Sequence, residues 1–164
     1  MLQPLVRRTW APRGQTPVMY CWDRHDRLSV VAGLTLAARR TRLGLYFAVY
    51  NQNITAEELQ SFVRDVRRNL RRPLIVVLDR WSVHRKTARL MQDDGRFEFE
   101  WLPSYAPDLN PVEHVWSHTK YGDLANYVPG DVTELECAVD CSLQETRSEP
   151  ELLRSFFHGA ELEL

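Results

Sequence analysis

At 164 residues and 44% hydrophobic content, the chain can bury the core of one domain, and the absence of any apolar run of about 18 residues argues against a membrane-spanning helix. Three cysteines without a Cys-x-x-Cys pair argue against a disulfide framework or a zinc ribbon, and with no secretory-signal pattern at residues 1–8 they fit a reducing cytoplasm. The net charge of −1 hides an asymmetry: residues 1–90 hold 17 basic and 6 acidic side chains, a net of +11, while residues 91–164 hold 4 and 16, a net of −12. An arginine-rich half suits a phosphate backbone, and it equally allows the two halves to pair across one fold.

Residues 1–16, with Pro4, Pro12 and Gly14 around Trp10, read as an irregular loop. Residues 18–22 and 28–36 read as two strands joined by the charged turn 23–27, and a third strand over 45–50 completes a meander. Thr55-Ala56-Glu57-Glu58 has capping-box spacing, and Leu59, Phe62, Val63, Val66 and Leu70 continue at helical spacing, which predicts a helix over 56–70. Its basic face, Arg64, Arg67, Arg68 and Arg71, reads either as solvated surface or as a track for a DNA backbone. After Pro73 the run Leu74-Ile75-Val76-Val77-Leu78 predicts an interior strand covered on both faces, ending at Asp79.

A short helix over 84–91, an alternating strand over 97–102 and a rigid loop over 103–109 follow, and then a helix capped by Asn110 with Pro111 at its first position. Two further helices fall near 131–146 and 150–158, and no internal repeat is present. Cys137 and Cys141 read as core residues of an amphipathic helix, and Trp81, Trp101 and Trp116 as core aromatics, whereas Trp10 could stack on an exposed base. His114 and His118 are four apart, but the acid precedes His114, so the His-Glu-x-x-His metallopeptidase pattern is not met.

Two carboxylates carry the chemistry. Asp79 closes a buried strand, at the rim where open α/β sheets bind ligands, and Glu113 stands in the first turn of a later helix, so the two could share a divalent cation. Each also has a plainer reading: Asp79 as a turn former, Glu113 as a capping-box carboxylate. The stretch Leu102-Pro103-Ser104-Tyr105-Ala106-Pro107-Asp108-Leu109-Asn110-Pro111-Val112-Glu113-His114-Val115-Trp116, whose Glu113 stands 34 positions after Asp79, shifts the balance. It resembles the third-acid motif of mariner-type transposases and the related bacterial insertion-sequence transposases of the DDE class. Their second acid ends an apolar strand and is followed five residues on by a His, matched by Asp79 and His84; the next residue is more often Asn, where this chain has Arg80. Arg8 to Pro17 resembles the loop after the family's first strand.

The resemblance covers about residues 2–130 and implies a ribonuclease H-like α/β fold, a mixed sheet flanked by helices. It implies a partial DDE catalytic core over 1–130 and an acidic helical extension of the same domain over 131–164. It also implies Asp79 and Glu113 as catalytic, metal-holding acids for two Mg²⁺ or Mn²⁺ ions. His84, Asn110 and Pro111 would support the motif, and Arg7, Arg8, Trp10 and Arg13 would contact DNA. The family's first acid lies on a strand before the loop in which this sequence opens, and Asp23 and Asp26 are expected at the opposite sheet edge. The expectation is a transposase core for DNA cleavage and strand transfer, cytoplasmic, inactive alone, its first strand supplied by another polypeptide or its partner in a dimer. A non-catalytic module that binds DNA or an intact transposase is the other reading.

Overall fold

A computed structural model of the chain describes residues 6–18, 20 and 28–164. Strands β1 (Ser29–Leu36) and β2 (Leu43–Tyr50) form an antiparallel hairpin, with Ser29 opposite Tyr50 and Leu36 opposite Leu43. The connecting turn is closed by Arg40 N–H donating to the Ala37 carbonyl at 2.7 Å, with Arg40 in the left-handed region at φ 55°.

Helix α1 (Ala56–Leu70) starts at a complete capping box, in which the Thr55 N–H donates to Glu58 Oε2 at 2.8 Å. It buries Ala56, Leu59, Val63 and Val66, and ends where Arg71 turns left-handed and its N–H reaches the Arg67 carbonyl. Pro73, which cannot donate a backbone bond, keeps the helix from resuming. Strand β3 (Leu74–Leu78), helix α2 (Ser82–Leu90) and strand β4 (Phe97–Trp101) form a β-α-β unit, with Leu74 beside Phe97 and Leu78 beside Trp101 in parallel register. A 3-10 turn at Pro107–Leu109 leads into α3 (Pro111–His118), which runs into a π-helical turn at Thr119–Asp123. Helices α4 (Val132–Ser148) and α5 (Pro150–Gly159) complete the chain.

The apolar residues gather in two clusters. Leu45 of β2, Val115 of α3, Leu135, Val139 and Leu143 of α4, and Leu153 and Phe156 of α5 make one. The other joins Leu59 and Val63 of α1 to Met91 and Phe97, with Leu74 and Val76 of β3 and Val31 of β1 packed against it. Residues 132–159 thus help build the core under the hairpin. Replacing Leu143, which is fully buried, by Ala is expected to cost about 2–5 kcal/mol; a smaller loss in urea denaturation would show that the cluster collapses around the gap.

Among the described residues the strands form two separate two-stranded sheets, β1–β2 and β3–β4. Both flank α1, since Val31 and Val76 pack on the same cluster. The edge of β1 away from β2 and the edge of β3 away from β4 therefore carry no ladder partner among these residues. The expectation that β3 is covered on both faces is corrected here: Leu74, Val76 and Leu78 are partly buried, but Ile75 is 67% and Val77 57% exposed. Their neighbours on that face are the exposed Glu98 and Glu100.

Two smaller expectations also change. Cys137 and Cys141 are exposed free thiols, because the buried stripe of α4 runs through Leu135, Val139, Ser142, Leu143 and Thr146 instead. Trp81 is exposed, while Trp101 and Trp116 are half-buried. The strand read at 18–22 and the turn at 23–27 lie largely outside the described residues; Val18 and Tyr20, which are described, are exposed and extend no strand. No described helix is long and apolar enough to cross a membrane.

Candidate active site

Asp79 follows the last residue of β3, where the parallel strand hands the chain to α2. Its Oδ1 accepts the Trp81 N–H at 2.8 Å and lies 2.5 Å from His84 Nδ1. The first bond makes the tight turn that starts α2, so the plain turn-forming role is filled. The second needs the His84 proton on Nδ1. The His84 side chain is 19% exposed and that of Asp79 47%, so a sheltered ring steers a carboxylate that still reaches solvent. Trp81 packs edge-on against the His84 ring, centroids 5.2 Å apart. Both Oδ1 contacts leave Oδ2 available to an outside partner.

Glu113 occupies the first turn of α3, an exposed position. Here the capping is done by Asn110, whose Oδ1 accepts the Val112 N–H at 3.2 Å, while Pro111 takes the position that needs no N–H. The contrast with α1 is direct: Glu58 closes a capping box there. The Glu113 carboxylate has no hydrogen bond or ion pair among the described residues. It is held by its helix and left unspent.

Asp79 and His84 are in contact; no described contact joins Asp79 to Glu113. No group of three His, Cys, Asp or Glu residues converges among the described residues. Hard carboxylate oxygens are the right donors for Mg²⁺ or Mn²⁺, but the two acids fall short of the number that a two-ion site requires.

Of the arginines read as DNA contacts, Arg7 is fastened to the segment that follows α3: its N–H donates to Asn126 Oδ1 at 2.7 Å and its guanidinium lies 5.1 Å from the Tyr121 ring centroid. Arg8, Trp10 and Arg13 are exposed. Arg7, His114, His118 and Tyr121 line a cleft of about 400 Å³. His118 Nε2 faces Asp123 at 3.6 Å, and the buried His114 Nε2 packs against Gly159, where a Cβ would come within 2.9 Å. Sequence reasoning passed over Arg85 and Arg89, which share a cleft with Arg80; their spacing of four on the helix after Asp79 was the available signal.

A family model described as DDE superfamily endonuclease matches residues 1–135. No curated protein matches the chain. Among solved structures, the crystal structure of the Mos1 strand transfer complex matches with a TM-score of 0.61 at 14% identity, over 96% of this chain and 46% of that one. The chain thus spans about half the length of the solved chain it resembles, and at this identity the likeness speaks to the fold: α/β, ribonuclease H-like, with sheet flanked by helices. The family match extends over most of the sequence and includes both carboxylates, and the chain belongs to the DDE superfamily of endonucleases.

Proposed function

We propose that this chain is the larger part of a DDE transposase catalytic domain, of the mariner and insertion-sequence kind, acting on DNA in the cytoplasm by metal-dependent phosphodiester cleavage and strand transfer. One observation carries the reading above all: Asp79 is steered by His84 at the end of a parallel strand, while Glu113 sits on a helix whose cap is already provided by Asn110. Asp79 makes its turn through Oδ1 alone and keeps Oδ2, and Glu113 is not used as the cap of its helix. Bound Mg²⁺ or Mn²⁺ would polarise the phosphodiester and activate the attacking hydroxyl. The chain's own part is to present two carboxylates at fixed points of strand and helix, with His84 as the positioning group. A further carboxylate would complete the two-ion site, and the free edge of β3 is where a strand bearing one would pair.

The arginines of residues 7–13 would supply the substrate side. Arg7, Arg8 and Arg13 would hold phosphates of the transposon end, and Trp10 would stack on an unpaired base. Replacing the three arginines together by Ala is expected to reduce the slope of log affinity for duplex DNA against log salt by about 3, from about 0.9 for each phosphate contact. A slope that stays put removes these residues from the interface.

The reaction itself is tested by plasmid nicking in Mg²⁺ or Mn²⁺. The chain as it stands, the same chain with Asp79→Ala, and a version extended by an Asp-bearing strand are compared. Activity confined to the extended version supports a catalytic domain. Inactivity of all three with DNA binding intact supports a non-catalytic binding module.

A further inference from the structure

A second cleft, of about 560 Å³, lies between α2 and β4 and begins at the residue next to Asp79. Arg80 anchors one end, its Nε donating to the Leu102 carbonyl at 3.5 Å. Arg85 and Arg89 extend the row along α2, about 6 Å apart along the helix axis at 1.5 Å per residue. None of the three arginines has an ion-pair partner among the described residues, and the neighbouring Lys86 turns elsewhere, to Glu57 at 3.3 Å. The floor is aromatic. Phe97 and Phe99 stack with centroids 6.4 Å apart, Trp101 follows on the same face of β4, and both Phe99 and Trp101 are half-buried. Among the described residues no carboxylate lines the cleft; Glu98 and Glu100 lie on the other face of the strand.

Unpaired guanidinium groups without a neighbouring acid select an anion, and a flat aromatic floor selects a planar apolar surface. A nucleotide whose base has left its duplex offers both, whereas base-paired DNA presents phosphates but keeps its base faces stacked inside. We propose that the α2–β4 cleft binds a single strand of DNA, leading it away from Asp79 with its phosphates on Arg85 and Arg89 and a base on Trp101. The strand's origin at the cut rests on the function proposed above; the cleft's preference for unpaired DNA does not.

The test is fluorescence anisotropy of the full 164-residue chain with a labelled oligothymidylate and with a duplex of equal length, in chelator and over a range of salt. Arg85→Ala/Arg89→Ala is expected to weaken single-strand binding at least about tenfold and to lower its salt slope by about 1.4, from about 0.7 per phosphate. Trp101→Leu is expected to weaken it about fivefold or more, within the range of one base stacked on an aromatic ring, with the slope unchanged. Trp101→Phe, which keeps a stacking face, should restore most of the affinity, and circular dichroism of each variant separates lost stacking from lost fold. Unchanged affinity in the arginine variant overturns the proposal. So does equal loss for single-strand and duplex DNA with no effect at Trp101, which marks a plain phosphate patch. The assay is run in chelator and reads no cleavage, so failure of the catalytic reading and failure of this one give different results.

Discussion

When an Asp-bearing strand is joined ahead of residue 1, Mn²⁺-dependent nicking is expected to appear, and in that background Asp79→Ala or Glu113→Gln should lower the rate by about 10³-fold or more. The size follows from the role. Each tenfold in rate is about 1.4 kcal/mol of barrier, and a metal held at the reacting phosphate supplies several kcal/mol of charge stabilisation. Glu113→Gln keeps the side chain's shape, and since Asn110 caps α3, the helix should be undisturbed. A large loss with an unchanged melting curve therefore assigns Glu113 to chemistry. His84→Ala should act more weakly, about tenfold, because the ring orients Asp79 through the Nδ1 contact and does not itself reach the substrate. Nicking by a Glu113→Gln variant at the parent rate would remove this carboxylate from the site.

The second large effect concerns stability. Alone, the chain leaves one edge each of β1 and β3 without a ladder partner among its described residues, and exposes Ile75 and Val77. Covering the two side chains is worth roughly 1–2 kcal/mol each at about 25 cal/mol per Å², and pairing the strand edges adds backbone bonds of about 1 kcal/mol each. The strand-extended version should therefore exceed the 164-residue chain by several kcal/mol in urea unfolding, with a steeper transition as more surface is buried. If the bare chain unfolds as a cooperative monomer within the ordinary range of about 5–15 kcal/mol, the free edges are not a weakness. A midpoint that climbs with protein concentration would show the sheet completed by another copy.

Elements whose ends are written in local chemistry were legible in the sequence. The capping box at Thr55 and the stop at Pro73 bounded α1, and Asn110-Pro111 located the start of α3. The positions of both candidate acids, after a strand and in the first turn of a helix, were legible because strand ends and helix starts are local features. The geometry between them was not, since distance across a fold depends on packing that no short pattern encodes. The exposed face of β3 was misread for a related reason: an all-apolar run reports that a strand suits a dry environment, and says nothing of which segment provides it. Cys137 and Cys141 misled because cysteine is apolar enough to pass for core. Cys137 lies two positions from the buried Leu135, about 200° around the helix, and so faces outward. The π-helical turn at Thr119–Asp123 had no signature beyond Gly122.

The register of the β3–β4 pair has one more effect. Glu98 stands beside Ile75 and Glu100 beside Val77, so the bare apolar strip is bordered by charges of one sign. Two such surfaces stacking on each other would crowd four carboxylates into a drying contact, and that repulsion disfavours fibrillar self-association. A neutral or basic cover meets no such barrier. The glutamates act as gatekeepers, keeping an adhesive face soluble while leaving it open to the right covering segment.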